Sequence, residues 1–153
     1  MGPVPSNLPP QLTSFVGRKR ELSEARGLLG ANRLLTLTGT GGSGKTRLSI
    51  QIAGEVACEF PDGVYFIALA PLSDPGLVAS SIAQILGLRA ASHRSLMDRL
   101  VSYLRERQML IVLDNFEHIL GGAPLVVDLL KATRAVHFLV TSRCPLRVSG
   151  EQE

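Results

Sequence analysis

The sequence predicts an α/β fold: a parallel sheet with helices on both faces. Three observations carry that expectation. Short apolar runs alternate with helical patterns, giving strand, helix, strand, helix, strand, helix, strand along the chain. The first run, "RLLTLTG", passes directly into glycines, and the third, "MLIVLD", ends on an acid. Every gap between runs holds a helical pattern able to serve as the crossover that consecutive parallel strands require.

Each element has its own signal. Residues 1–13 contain Pro3, Pro5, Pro9 and Pro10, which cannot donate a backbone hydrogen bond, so a flexible, extended arm is expected there. Residues 14–153 are read as one domain. From about Arg18 to Leu29 the apolar positions Leu22, Ala25, Leu28 and Leu29 recur at helical spacing, with Gly30 as a stop. Leu34 to Thr38 is the first buried strand. A helix follows from about Gly44 to Cys58 or Glu59, its inner face formed by Leu48, Ile50, Ile52, Ala53, Val56 and Ala57, and Pro61-Asp62-Gly63 makes the turn. Val64 to Leu69 is the second strand. Helical patterns run over Leu77 to Leu86 and Ser95 to Arg107, with a polar loop between them. The third strand ends at Asp114, a helix covers about Pro124 to Thr133, and "VHFLVTS" from Val136 is the fourth strand, followed by a broken tail.

Composition narrows the function classes. With 153 residues, 45% of them hydrophobic, the chain can build one core and is short for two. No apolar run approaches the roughly 18 residues of a membrane span, and the first residues lack the pattern of a secretory signal, so a cytoplasmic chain is expected. Cys58 and Cys144 are too few for a disulfide framework and read as reduced, packed thiols. The net charge of +3 is spread out: the longest basic run, Arg18 to Arg20, is followed at once by Glu21, which argues for a solvated surface over a DNA-contacting face.

"TGTGGSGKT" fits G-x-x-x-x-G-K-[ST] from Gly39 to Thr46. Glycines let backbone N–H groups close around phosphate oxygens, and a helix opening behind the loop points its positive end at the anion. The nucleotide-binding set is therefore Gly39, Thr40, Gly41, Gly42, Ser43, Gly44, Lys45 and Thr46, with Arg47 beside it. Lys45 is expected to reach the β- and γ-phosphates and the Thr46 hydroxyl to contact Mg²⁺. The sequence thus specifies a three-layer α/β/α P-loop fold for a nucleoside triphosphate.

A magnesium nucleotide also needs a carboxylate, because Mg²⁺ keeps an octahedral shell of oxygens with several waters. Asp114 is that candidate, since a parallel strand would deliver it to the edge that carries the glycine loop, the alternative being a helix cap or turn residue, a part Asn115 could equally play. Hydrolysis needs a group that orients water. Asn115 cannot accept a proton; Glu117 either swings toward the γ-phosphate, if a helical turn follows the strand, or remains a solvated carboxylate. Arg143, just after the fourth strand, is placed to meet the γ-phosphate with paired hydrogen bonds, the alternative being an ordinary loop arginine. Asp114, Glu117 and Arg143 form the candidate catalytic set, and Thr46 and Asp114 the metal set. His93, His118 and His137 share no ligand spacing and read as packing or surface residues. A GTPase would carry N-K-x-D, which is lacking, and a small-molecule phosphotransferase is the alternative enzyme reading.

"FVGR" (Phe15 to Arg18), "TLTGTGGSGKT", "LIVLDNFEH" and "LVTSR", in that order, resemble the nucleotide-binding domain of bacterial STAND regulators, the NB-ARC or AP-ATPase type of large LuxR-like and SARP-like transcriptional regulators. The match covers nearly all of the chain beyond the proline arm. It implies an ATP/ADP switch in which Val16, Gly17 and Arg18 approach the adenine and ribose, Asp114 serves Mg²⁺ and Arg143 senses the γ-phosphate. Members with two adjacent acids after the third strand have a clearer base than Asp114-Asn115, so slow or absent hydrolysis is expected. The resemblance further implies that the chain is the gripping part of a larger regulator, whose other domains close over the nucleotide and contact DNA. It also implies a sheet ordered 5-1-4-3-2. With four strands counted, the expectation is 1-4-3-2, which leaves Leu34 to Thr38 at an exposed edge open to self-association or to pairing with the tail.

Overall fold

The computed structural model describes residues 6–7, 19–39, 44–72, 74–88, 93–147 and 151–152. Their elements in chain order are α1 (Lys19–Ala31), β1 (Leu34–Thr38), α2 (Lys45–Val56), β2 (Gly63–Ala68), α3 (Leu77–Ile85), α4 (His93–Leu104), β3 (Gln108–Asp114), α5 (Ala123–Ala132), β4 (Ala135–Ser142) and β5 (Glu151–Gln152). Short 3-10 segments follow α2 at Ala57–Glu59 and β3 at Phe116–Gly122. All strand pairs are parallel, and the sheet order is β2-β3-β4-β1-β5.

Alternation of side chains across the strands makes two cores from one sheet. Leu34, Met109, Ile111, Leu113, Val136, Phe138 and Val140 point toward α3, α4 and α5. Leu35, Val64, Leu110, Val112 and Leu139 point toward α1 and α2, where Leu29, Ile52, Ala53 and Val56 meet them. The central strands are thus buried on both faces, which is why their sequence reads as continuous apolar runs rather than as an alternating pattern. Arg33 fixes the turn from α5 into β4: its guanidinium donates to the carbonyls of Leu130 at 2.9 Å and Val136 at 3.0 Å and to the Thr133 hydroxyl at 2.7 Å.

The expected count of four strands is corrected to five, and of the two partners expected for the β1 edge the structure shows the tail. Glu151 and Gln152 pair in parallel with Leu34 and Leu35, so β1 lies between β4 and β5. A carboxylate fastens this short strand. Glu151 accepts from the Thr36 hydroxyl at 2.5 Å and from the backbone N–H groups of Leu146 at 2.8 Å and Arg147 at 2.9 Å. The last of these holds Arg147 in a left-handed conformation, φ 59, that a non-glycine residue rarely adopts unaided. β5 covers this edge of β1 at Leu34 and Leu35. At the opposite edge, Ser6 forms a parallel bridge with Val64, and the Asn7 amide both accepts from the Phe66 N–H at 2.5 Å and donates to its carbonyl at 2.9 Å. The rest of the proline-rich arm lies outside the described residues.

Cys58 is exposed and Cys144 half-buried, so the thiols are less packed than expected. His137 does pack: its ring meets Phe60 edge-on at 5.2 Å, with Nδ1 at 3.2 Å from the Leu29 carbonyl. Burial lowers its pKa below the usual 6.5, and the positive charge of Arg33 adds to this against the pull of backbone hydrogen bonding at Leu29 and Asn32 and of Glu59. In the window below 6.5 the unfolded chain therefore binds this proton more readily than the folded one. The contribution of His137 is complete above that value and is lost as the pH falls. The thermal midpoint is expected to drop between about pH 7 and pH 5, with a shallower drop in His137→Gln. Equal slopes for the two proteins in thermal melts would remove His137 as a source.

Candidate functional site

The register of the sheet delivers the C-terminal ends of β1, β3 and β4 to one rim, where open parallel sheets bind their ligands. Thr38 is level with Ser142, and Leu113 with Val140, so Asp114 and Thr141 emerge side by side. α2 starts at the same rim. Gly44 precedes it with φ 80 and ψ 18, a left-handed turn that glycine adopts without a steric penalty. Lys45 and Thr46 are then the first two residues of α2.

The Thr46 hydroxyl donates to Asp114 Oδ1 at 2.9 Å. Asp114 is 4% exposed and is held by further groups: the Thr141 hydroxyl donates to the same Oδ1 at 2.6 Å, and Asn115 Nδ2 to Oδ2 at 3.2 Å. Lys45 Nζ donates to the Gly39 carbonyl at 2.8 Å, which holds the ammonium over the start of the glycine loop. Thr40, Gly41, Gly42 and Ser43 lie outside the described residues, as do Val16, Gly17 and Arg18.

After Asp114 the chain turns sharply, because Asn115 takes the left-handed values φ 62 and ψ 48, which asparagine tolerates better than most residues. The 3-10 segment that follows brings Glu117 back to the rim. Its Oε1 accepts the backbone N–H of Arg143 at 3.2 Å, while Oε2 is buried with no hydrogen-bond partner among the described residues. Such an atom calls for a donor, such as a water or an ion. Glu117 is therefore not a solvated surface carboxylate. It lines an open cavity of about 500 Å³ together with Gly44, Lys45, Thr46, Arg47, Asn115, His118 and Arg143. That volume is within the roughly 300–1,000 Å³ of small-molecule sites.

The structure thus brings together Thr46, Asp114, Lys45, Arg47, Glu117 and Arg143, which were expected from sequence. It adds His118, read earlier as packing or surface, and Thr141, which was not singled out. The available signal for Thr141 is a hydroxyl that follows the apolar run of Phe138, Leu139 and Val140 at the rim end of β4.

Among the described residues no group of three or more His, Cys, Asp or Glu side chains could cage a metal ion. One hydroxyl bonded to one buried carboxylate is instead the donor set that suits Mg²⁺ arriving with phosphates and its own waters. Thr46 and Asp114 fit that ion.

The family described as AAA domain matches residues 29–151. The chain belongs to the AAA domain family. A protein of Mycobacterium tuberculosis named "Putative HTH-type transcriptional regulator" is 50% identical to this AAA domain over 127 residues, covering 82% of the chain and 14% of that protein. Regulatory protein AfsR of Streptomyces coelicolor is 32% identical over 164 residues, covering 91% of the chain and 15% of AfsR. The chain therefore spans about a seventh of the length of these curated relatives. Among solved structures, Cdc6p from Pyrobaculum aerophilum superposes with a TM-score of 0.62 at 22% identity, over 90% of this chain and 41% of that one. The Aeropyrum pernix ORC2 protein, solved as ADPNP–ADP complexes, gives 0.60 at 15% identity, over 84% and 42%. These two likenesses establish the parallel-sheet P-loop fold. Among the described residues no helix is long and apolar enough to cross a membrane.

Proposed function

We propose that this AAA domain is an ATP/ADP-binding switch of the STAND, NB-ARC type, working in the cytoplasm inside a transcriptional regulator and hydrolysing ATP slowly at most. The observation that carries this reading is the Thr46 hydroxyl on the Asp114 carboxylate, 2.9 Å apart, on a cavity that Lys45 and Arg143 also line. Bound Mg²⁺ would neutralise charge on the β- and γ-phosphates. The residues would divide the remaining work. Lys45 exchanges the Gly39 carbonyl for phosphate oxygens, Arg143 meets the γ-phosphate, and Glu117 accepts a proton from the water that attacks that phosphate. The names of the relatives support a regulatory setting; contact with DNA is assigned to other parts of such regulators.

A switch shifts its conformational balance only as far as ATP and ADP bind its two states differently. The 153-residue chain, titrated calorimetrically with ATP, ADP and GTP with and without Mg²⁺, is expected to bind both adenine nucleotides with turnover near background. No binding in Mg²⁺, a preference for GTP, or rapid multiple turnover would each remove the reading.

A further inference from the structure

We propose that Thr141 is a positioning residue that fixes the Asp114 carboxylate for a Mg²⁺-nucleotide and couples it to the end of β4, which Arg143 follows. This rests on the nucleotide-binding reading and adds to it a residue that acts through Asp114.

The hydrogen-bond inventory of a hydroxyl decides the geometry. A threonine has one proton and two lone pairs. The backbone N–H of Asn115 donates to Thr141 Oγ1 at 2.9 Å, which occupies a lone pair. An ionised carboxylate only accepts, so the proton of Thr141 points to Asp114 Oδ1, at 2.6 Å. Thr46 donates to the same oxygen, at 2.9 Å. Oδ1 is therefore pinned by two hydroxyls from two elements, the start of α2 and the end of β4. Thr46, with its proton committed to Asp114, is left with lone pairs to offer a cation. Oδ2, whose contact is Asn115 Nδ2 at 3.2 Å, is the oxygen left for the water shell of the ion.

Thr141 is fully buried, as is Ser142 after it, so the hydroxyl has no solvent partner to substitute for these bonds. It also ties the left-handed turn at Asn115 to β4, and Arg143 follows two residues later with its N–H on Glu117. Asp114 and Asn115 at the end of β3 are thus bonded to Thr141 at the end of β4, and Glu117 to Arg143 just after it.

The test is the magnesium dependence of nucleotide affinity in Thr141→Val, Thr141→Ser and Thr141→Ala, measured by calorimetry on the 153-residue chain in Mg²⁺ and in EDTA, with thermal melts of each. Valine is expected to lose about tenfold or more in Mg²⁺-ATP affinity, the scale of a lost outer-shell partner, and to stay within about twofold in EDTA. Serine keeps the wild-type magnesium dependence, and hydrogen exchange of the Asn115 amide quickens in valine alone of these two. A role confined to stability would lower affinity equally in both buffers; that result, an unchanged valine variant, or a serine variant as weak as valine would overturn the proposal. Alanine reports the same missing hydroxyl should valine fail to fold, and failure of both to fold would make the hydroxyl a folding requirement and end the proposal. If the wild-type chain binds no nucleotide, both readings fall, whereas wild-type binding with an indifferent valine variant removes only this one.

Discussion

Lys45→Ala weakens binding of ATP and of ADP by about 100-fold while leaving the fold intact. Two charge-assisted contacts to phosphate oxygens, each worth about 1.5 kcal/mol net, sum to roughly that factor. The side chain is partly exposed at the first position of α2 and its ammonium bonds the Gly39 carbonyl at 2.8 Å, so its removal opens no cavity in either core. The thermal midpoint without nucleotide should therefore stay close to wild type. Lys45→Arg is not expected to restore affinity, because a planar guanidinium is a different shape of donor from a compact ammonium at the mouth of a glycine loop. Calorimetry with both nucleotides checks this, and an alanine variant that binds as tightly as wild type would sever the loop from the ligand.

Phe138→Ala has the opposite profile: a large loss of stability with the rim chemistry untouched. Phe138 is fully buried in β4, paired with Leu34 of β1 on one side and Ile111 of β3 on the other, in the layer under α3, α4 and α5. Truncating a buried phenylalanine to alanine costs about 3–5 kcal/mol, because the lost transfer energy is joined by the cavity left behind. For a chain of this size that corresponds to roughly 10 °C in the thermal midpoint. Denaturant unfolding should show the lower midpoint with an unchanged slope. A loss below about 1 kcal/mol would mean that the central strands can collapse onto the gap.

The two predictions also mark what could be read from sequence. The apolar runs of β1, β2, β3 and β4 and the helical patterns between them were legible to within a few residues, since a strand buried on both faces leaves an unbroken hydrophobic signature. The meeting of Thr46 with Asp114 followed from the glycine loop and the parallel strands together, because Thr46 opens the helix after the loop and Asp114 ends β3 at the same rim. β5 was not legible. Glu151 and Gln152 have no hydrophobic period, and what fixes them is a carboxylate bonded to Thr36 and to two backbone amides, a tertiary contact without a local signature. Glu117 was ambiguous because its direction depends on the left-handed turn at Asn115, and Thr141 was hidden because a threonine in a strand looks like a strand former.

The sheet order has a consequence for the birth of the molecule. β1 ends at Thr38, yet its two neighbours begin at Ala135 and Glu151. During synthesis β2, β3 and β4 can join in the order in which they leave the ribosome, whereas β1 must wait about a hundred residues for β4 before it has a strand to pair with. Such distant pairings are slow to form. The residues that follow that waiting strand are therefore placed among the last parts of this domain, so a nascent chain is expected to grip nucleotide only once the rest of the sheet is complete.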